Sequence, residues 1–297
     1  MDLSDAVLEK LRRAGKVARE GREYGASILR EGMPLLEGVE RIEEFLRGKG
    51  CPPAFPTCLS VNHVAAHDTP THRDARVLQK GDVVKIDLGA QVDGYLTDTA
   101  KTVEIGTRNW TELIRAPEQA LAAAIEVVRP RLPTRVLGAT IERTIESFGY
   151  KPVTNLTGHS IERYTVHAGK SVPNVGDHGD DVLEVGDLIA IEPFATTGSG
   201  RVDGRKSGNI YRVMRVREVR PESTHRFLLA LQDRFNVLPF AERWAYRMDG
   251  KAPSHLARLL RSGLIYTYPA LIEVGEGIVA QAEHSMIVTQ DGAEVLT

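Results

Sequence analysis

The chain has 297 residues, of which 42% are hydrophobic, and a formal net charge of −2. This length allows one large domain or two ordinary ones, and the near-neutral charge supplies no basic field of the kind that attracts nucleic acid or an anionic membrane. The acidic N-terminus does not predict a signal peptide, and no apolar run approaches the length of a membrane span. The two cysteines, Cys51 and Cys58, fit reduced thiols better than a disulfide. We therefore expect a globular protein of the cytoplasm.

Helical and strand patterns are mixed along the chain, which predicts an α+β fold. The elements predicted in the first half are, in chain order, a helix over 3–30, a helix ending near 47, strands over 59–64, 82–88 and 95–103, and helices over 111–129 and 135–148. Those predicted in the second half are strands over 152–157, 161–167 and 187–192, a glycine-rich loop over 196–208, helical patterns over 222–263, and strands over 271–274, 278–282 and 286–288.

An eleven-residue segment occurs twice, with an offset of 105 residues. Residues 77–87 recur as 182–192, with five identical positions. Each copy is a Gly-Asp turn that leads into a short apolar strand, and each strand ends in an acid, Asp87 or Glu192. Because a buried carboxylate is costly unless it is paired or binds a metal, the two equivalent acids predict a site on a pseudo-twofold axis between duplicated halves.

A second acid belongs to the first copy of the repeat. If the turn dipeptide Asp93-Gly94 forms a two-residue hairpin loop, Asp87 lies opposite Ala100, and Asp98 lies two positions away on the same face. Diagonal neighbours of this kind are roughly 7–8 Å apart at Cα, which suits two carboxylates that share a pair of cations. The alternative is that both acids end the hairpin in solvent, and the equivalent position of Glu192 argues against it.

The spacing of the acids predicts an insertion in the second half. Asp98 follows Asp87 by 11 residues, whereas the comparable acid, Glu283, follows Glu192 by 91. The surplus of 80 residues predicts a mainly helical inserted segment over 197–270. The remainder, 1–196 and 271–297, would form the repeated domain.

Histidines complete a candidate donor set. His159 begins a strand-like stretch, and His167 follows eight residues later, on the same face if that strand is regular. A lone histidine of this kind is more often structural than a ligand. Together with two Asp and two Glu, however, one histidine suits Mn²⁺, Fe²⁺, Co²⁺ or Zn²⁺ in a two-metal cluster better than a thiolate-type zinc site. The sequence has no His-Glu-x-x-His helix, so a single-zinc peptidase of that kind is not expected.

The motifs around these residues resemble those of the type II methionine aminopeptidases, in their short archaeal form. The resemblance rests on Lys85–Gly89 with Asp98-Thr99-Ala100, Gly158–Ile161 with Val166–Lys170, Ile191–Phe194, and Ala280–His284. These enzymes belong to metallopeptidase family M24, with prolidase and aminopeptidase P. The resemblance implies the pita-bread (creatinase/aminopeptidase) fold, with a pseudo-twofold internal repeat and a helical insertion.

The resemblance also implies the metal ligands. It assigns two divalent ions (Co²⁺, Mn²⁺, Fe²⁺ or Zn²⁺) to Asp87, Asp98, His159, Glu192 and Glu283. In this scheme Asp87 and Glu283 reach both ions, Asp98 completes the shell of one, and His159 and Glu192 complete that of the other.

Further residues gain roles from the same resemblance. His67 and His167 would hold the substrate amide and stabilise the tetrahedral intermediate, and Glu192 would move a proton. Phe55, Val166 and Tyr268 would line the pocket for the methionine side chain.

The implied function is removal of the N-terminal methionine from peptides and nascent chains, with a preference for a small second residue. One alternative is an Xaa-Pro peptidase of the same fold, and another is a homologue that binds without catalysis. The resemblance implies a monomer. Arginines in the insertion permit docking on the ribosome, although a solvated charged face is the simpler explanation.

Overall fold

The computed structural model describes residues 3–297, apart from the side chains of Arg205 and Lys206. Met1 and Asp2, on which the signal-peptide prediction partly depends, lie outside the described residues. The helices of the described chain are α1 (Asp5–Ile28), α2 (Leu35–Gly48), α3 (Thr111–Val127), α4 (Thr134–Ser147), α5 (Glu222–Phe235), α6 (Glu242–Met248) and α7 (Ala252–Arg261). None of these described helices has the length and apolarity to cross a membrane.

The strands alternate with the helices along the chain. They are β1 (Cys58–Val61), β2 (Val64–Ala66), β3 (Val83–Val92), β4 (Tyr95–Glu104), β5 (Lys151–Pro152), β6 (Thr157–Ser160), β7 (Ser171–Pro173), β8 (Leu188–Ile191), β9 (Phe194–Thr196), β10 (Val202–Val213), β11 (Phe240–Ala241), β12 (Ile265–Glu273), β13 (Val279–Val288) and β14 (Ala293–Val295). The predicted α+β class is confirmed.

The larger sheet joins the two halves of the chain. Its strand order is β1-β3-β4-β13-β8-β6-β7, with β14 and β9 also paired to β13 and β5 paired to β9. The first half supplies β3 and β4, and the second supplies β8 and β6, so β13 from the end of the chain lies between them. Helices α1 and α2 pack on the first half through one apolar cluster, and α3 and α4 pack on the second through another.

The two copies of the repeat adopt the same local structure. In the first, a carboxylate oxygen of Asp82 accepts a hydrogen bond from the backbone N–H of Gln79 (2.7 Å). In the second, Asp187 accepts the equivalent bond from Glu184 (2.8 Å). Because each turn is closed by its own aspartate, both strands begin at the same point of the repeat. The predicted internal repeat is therefore confirmed at the level of individual hydrogen bonds.

The segment between β9 and β13 has a sheet and an apolar core of its own. The smaller sheet has the order β11-β10-β12-β2, so one strand of the first half closes it. Helices α5, α6 and α7 pack against this smaller sheet. The core between them includes Phe240, Leu228 and Leu259, which have no exposed surface. The predicted boundary at residue 270 falls inside β12.

Several predicted elements were wrong. The glycine-rich segment predicted as a loop over 196–208 contains the first half of β10, because its pairing with β12 satisfies backbone groups that its own composition does not favour in a strand. The predicted strand over 161–167 is instead a turn closed by mutual hydrogen bonds between Glu162 and Thr165. The predicted strands over 278–282 and 286–288 are one continuous strand, β13.

Candidate metal centre

The hairpin β3–β4 places two acids as the sequence predicts. Asp87 pairs with Ala100, and the loop residues Asp93 and Gly94 have φ values of 53° and 82°. Both residues are in the left-handed region that a tight two-residue hairpin turn requires. Asp98 lies two residues from Ala100 and therefore shares a face with Asp87.

Strand β13 adds the third acid from the other side of β4. Glu283 also pairs with Ala100, so Asp87 and Glu283 flank the same alanine across three neighbouring strands. Directly opposed residues of antiparallel strands lie on the same face of the sheet. The small side chain between them leaves that face to the carboxylates.

The second half contributes His159 and Glu192. Glu192 follows the last residue of β8, and His159 on β6 pairs with Ala190 of β8. Gly158 permits this close pairing, because a Cβ there would lie 2.3 Å from the carbonyl oxygen of Ala190. Lack of a side chain at residue 158 thus brings the imidazole to the acids.

The histidine has the tautomer of a metal ligand. Its Nδ1 lies 3.3 Å from the carbonyl oxygen of Ser160. A carbonyl only accepts, so Nδ1 carries the proton and Nε2 presents a lone pair. That Nε2 lies 3.6 Å from Oδ2 of Asp98 and 3.8 Å from Oε1 of Glu192.

Asp98, His159 and Glu283 form the tightest donor group. One donor atom from each lies within 4.8 Å of the other two. The scheme implied by the resemblance put Asp98 and His159 in the shells of different ions. Donor atoms this close can serve one ion or two neighbouring ions, so the distribution of the ligands between the ions stays a prediction.

The acids share a buried space that disfavours their charged forms. Burial raises the pKa of Asp87 to about 7. Burial, followed by repulsion from neighbouring carboxylates, raises the pKa of Asp98, Glu192 and Glu283 well above the ordinary range. Burial also lowers the pKa of His159 to about 4, so the ring is neutral. Acids gathered in this way require a nearby positive charge if they are to ionise at neutral pH.

The donor set fits divalent cations. Among the described residues, the buried Oδ1 atoms of Asp87 and Asp98 have no hydrogen-bond partner. Such atoms are costly unless something binds them, and oxygen donors with one neutral imidazole suit Mn²⁺, Fe²⁺, Co²⁺ or Zn²⁺. This structure therefore supports the assignment of a metal to these residues on chemical grounds.

His67 and His167 lie beside the acids by different routes. His67 follows β2 with a φ of 61°, and its Nδ1 lies 3.3 Å from the carbonyl oxygen of Pro269. His167 returns to the site because the chain turns after His159 instead of continuing as a strand, and the two rings lie 4.4 Å apart. The expectation of a regular strand was wrong, although the two histidines are neighbours.

All the predicted site residues line one cavity, which has a volume of about 180 Å³. Its walls include the three predicted pocket residues, of which Phe55 and Val166 are each 8% exposed and Tyr268 is partly buried. The cavity therefore combines an acidic floor with apolar walls. Further lining residues that the sequence did not single out are Cys58, Ala66, Asn155, Leu156, Thr157, Phe194, Ile210, Pro239 and Leu271.

Gln281 is a site residue that the sequence interpretation missed. Its Nε2 donates to Oε2 of Glu192 (3.3 Å), and the side chain is buried. The signal was present, because Gln281 precedes Glu283 by two residues on β13 and therefore shares its face. Its amide can orient Glu192 without adding charge.

Comparisons with known proteins agree with this geometry. The profile of "Metallopeptidase family M24" matches residues 9–290. The chain is 42% identical to a methionine aminopeptidase of Methanocaldococcus jannaschii, over 97% of this chain and 98% of that protein. It is 45% identical to a methionine aminopeptidase of Pyrococcus horikoshii, over 98% and 99% of the two chains.

Solved structures share the fold at lower identity. A thermophilic Arx1 superposes with a TM-score of 0.87 at 18% identity, covering 99% of this chain and 91% of that one. The methionine aminopeptidase of Rickettsia prowazekii superposes with a TM-score of 0.72 at 24% identity, covering 99% and 98%. The expected pita-bread fold is thereby confirmed. The chain belongs to metallopeptidase family M24 and, within it, to the family of the archaeal methionine aminopeptidases.

Proposed function

We propose that the chain removes the N-terminal methionine from peptides and nascent chains by hydrolysis at a two-metal centre. The observation that supports this proposal most strongly is the convergence of one neutral imidazole with two buried acids, Asp98 and Glu283, and two half-buried acids, Asp87 and Glu192, in one cavity. The relatives' name supports the substrate, and family membership supports metal-dependent hydrolysis.

In this proposal five residues hold the ions: Asp87, Asp98, His159, Glu192 and Glu283. Asp98, His159 and Glu283 form the compact part of this donor set, because one donor atom of each lies within 4.8 Å of the other two. Asp87 and Glu192 would supply the remaining carboxylate ligands. Divalent cations held there polarise a substrate carbonyl and lower the pKa of water towards neutrality.

The chain's own residues would position the substrate and move the proton. Glu192, held by the amide of Gln281, would accept a proton from the attacking water and pass it to the departing amine. Burial lowers the pKa of His67, so the ring is neutral, and its Nδ1–H donates to Pro269. Its Nε2 is then an acceptor suited to the N–H of the scissile amide.

His167 would perform the complementary task. Although the residue as a whole is exposed, partial desolvation of the ring at the cavity wall, followed by the nearby His159, lowers its pKa, so the ring is neutral at pH 7 and carries one N–H. The ring lies at the rim of the cavity, where its N–H can donate to the oxygen that gains charge during attack. The two histidines would therefore divide acceptor and donor roles.

The apolar walls would select the first residue of the substrate. Phe55, Val166 and Tyr268 offer a pocket for an unbranched thioether side chain, for which aromatic contacts are favourable. The preference for a small second residue is carried over from the family resemblance.

The proposed function extends to the location, oligomeric state and domain organisation of the enzyme. We place its action in the cytoplasm, as a monomer, with 197–270 as the inserted segment between the two parts of the catalytic domain, 1–196 and 271–297. Arg215, Arg217 and Arg220 are exposed on that segment and support contact with the ribosome, which stays a prediction.

Peptide assays with metal analysis test the proposed function. The metal-loaded enzyme should release methionine from Met-Gly-Met-Met and leave Ala-Pro intact, whereas the opposite result would favour the Xaa-Pro peptidase alternative. Metal-free protein that hydrolyses neither peptide even after addition of Co²⁺ or Mn²⁺ would favour the non-catalytic alternative.

A further inference from the structure

One face of the ribbon β10–β12 leads from the cavity to the protein surface. Ile210 pairs with Tyr268, and both line the cavity. The next pair on the same face, two residues along each strand, is Arg212 with Tyr266. Met214 lies two residues beyond Arg212. We call Arg212, Tyr266 and Met214 the ribbon strip.

The contacts confirm that the strip continues the wall of the cavity. The rings of Tyr266 and Tyr268 lie 5.2 Å apart in an edge-to-face arrangement. A guanidinium nitrogen of Arg212 lies 3.4 Å from the sulfur of Met214. Tyr266 is 45% exposed and Met214 is 51% exposed, so an aromatic ring, a cation and a thioether form an accessible path from the cavity.

Arg212 is available to an incoming anion. In the part of the chain that the structure describes, its guanidinium is half-buried and forms no ion pair with an acidic side chain. Its charge nevertheless extends to the cavity, where it opposes the rise in the pKa of Tyr268 that burial causes. The exposed Arg215 and Arg217 follow in the chain beyond the end of β10. The strip is therefore complementary to a carboxylate.

The spacing of the strip matches an extended peptide. Two residues along a strand span about 6.6–6.8 Å, which is also the distance between side chains on one side of an extended substrate. A substrate whose first side chain contacts Tyr268 would place its third side chain beside Arg212 and Tyr266. Aromatic surface can cover the backbone there while the guanidinium pairs with an acid.

We propose that Arg212, with Tyr266 and Met214, is a specificity determinant that favours substrates with Glu or Asp at the third residue. This inference rests on the proposed function, because it needs the N-terminal residue to be bound in the cavity. Since the pair would be partly solvent-exposed, we expect a preference of about fivefold in kcat/KM for an acidic over a basic third residue.

Amidated peptides test the proposal. The metal-loaded enzyme is assayed for methionine release from Met-Ala-Glu-Ala-amide, Met-Ala-Gln-Ala-amide and Met-Ala-Lys-Ala-amide, so that no free C-terminal carboxylate competes. We expect kcat/KM to fall in that order and the difference to shrink at high ionic strength. Moving the Glu or Lys to the sixth residue of a longer peptide should abolish the preference.

Charge variants give the decisive comparison, read as the ratio of kcat/KM for the Glu and Lys peptides. Arg212→Gln should bring the ratio to about one, Arg212→Glu should invert it, and Arg212→Lys should keep most of it. Arg143→Gln is the matched control, since Arg143 is exposed on α4, which lines no part of the cavity.

The outcomes separate the two proposals. An enzyme that releases methionine from all three peptides at equal rates, or an Arg212→Gln variant that keeps the wild-type ratio, overturns the role of Arg212 and leaves the proposed function intact. An enzyme that releases methionine from none of them overturns the proposed function and, with it, this inference.

Discussion

Nε2 of His159 lies 3.6 Å from Oδ2 of Asp98, although the two residues belong to opposite halves of the repeated fold. The contact exists because β13 lies between the halves and holds β4 on one side and β8 on the other. The position of the site follows from the sheet order, and its charge follows from the acids that each strand contributes.

The same contact leads to a prediction about metal-free stability. Asp98→Asn removes one ionisable group from a cluster in which burial raises the pKa of every acid, and repulsion between carboxylates adds to this for Asp98, Glu192 and Glu283. We expect the metal-free variant to unfold at a higher temperature than the metal-free wild type, because each unit by which the pKa of the remaining carboxyls falls adds about 1.4 kcal/mol to the free energy of unfolding at neutral pH. Calorimetry after chelation measures this difference.

When metal is added, the wild type should unfold at a higher temperature than Asp98→Asn. Ligands that bind only the folded state stabilise it by mass action, so excess Mn²⁺ should raise the unfolding temperature of the wild type more than that of Asp98→Asn. A variant that is less stable than the wild type without metal would show that the carboxylates are not repelling one another.

His67 gives a prediction that separates catalysis from metal binding. Its ring is fixed by Pro269 and faces the cavity without belonging to the donor group. His67→Ala should reduce kcat by roughly 10²–10⁴-fold while the metal content of the purified protein is unchanged. His63→Ala, in the turn between β1 and β2, is the control and should stay near wild type. Loss of metal from His67→Ala would instead make His67 a ligand.

The residues of the metal centre were predictable because they depend on local rules. The turn Asp93-Gly94 determines the register of β3 and β4, and the repeat identifies Glu192 by its equivalence to Asp87. The close grouping of Asp98 with His159 and Glu283 was not predictable, because it depends on how far β6 and β13 bring the latter two residues towards Asp98.

The elements that were missed depend on contacts between distant parts of the chain. β10 contains Gly204 and Gly208, which a local pattern assigns to a loop, and only its pairing with β12 makes it a strand. The turn that returns His167 to His159 is closed by a hydrogen bond from the N–H of Ala168 to the carbonyl of Ser160 (2.8 Å). No periodicity signals either contact.

A buried ion pair connects the segment between β9 and β13 to α2, and a hydrogen bond from the same arginine reaches the loop that follows His67. Arg243, 1% exposed, pairs with the fully buried Glu43 of α2 and donates to Oγ1 of Thr69 (2.6 Å). The indole N–H of Trp244 also donates to Glu43 (2.7 Å). Because Arg243→Leu would leave Glu43 with only the partly exposed Arg47 (3.3 Å) as a cationic partner, it should lower the free energy of unfolding by about 3 kcal/mol, the lower end of the cost of breaking a buried ion pair.

A double-mutant cycle checks the origin of that loss. Replacing both charges, in Glu43→Leu with Arg243→Leu, should recover part of the stability, since neither charge is then left unpaired. Arg226→Ala, at an exposed position of α5, should change stability by less than about 0.5 kcal/mol. Denaturant titration gives all of these values. Strictly additive losses would show that Glu43 and Arg243 act independently.

Glu273 should make the free energy of unfolding depend on pH in the acidic range. Burial acts to raise the pKa of this carboxylate, but hydrogen bonds from Ser199, Gly200 and Gly277 together outweigh burial and lower it. An acid whose folded pKa is depressed contributes stability above its unfolded value of roughly 4.3, and this contribution is lost as pH falls through the folded value. Stability at pH 7 should therefore exceed that at pH 3.

The variant Glu273→Gln isolates this contribution. It should cost about 1–3 kcal/mol at pH 7, where charge-assisted hydrogen bonds are lost, and progressively less as the pH is lowered towards 3. Urea titrations of both proteins across that range measure the difference. A pH-independent difference would show that packing of the side chain, rather than its charge, anchors residues 199–200.

We infer that the donors on Asp87, Asp98, His159, Glu192 and Glu283 hold two divalent ions that the enzyme needs to release methionine. Stepwise addition of Mn²⁺ or Co²⁺ to the chelated protein, with bound metal and hydrolysis of Met-Gly-Met-Met followed together, tests it most directly. We predict that binding saturates at two ions per chain, that activity rises with it, and that Glu283→Ala loses both while keeping its fold. Full activity of the metal-free protein, or of Glu283→Ala, would contradict the account.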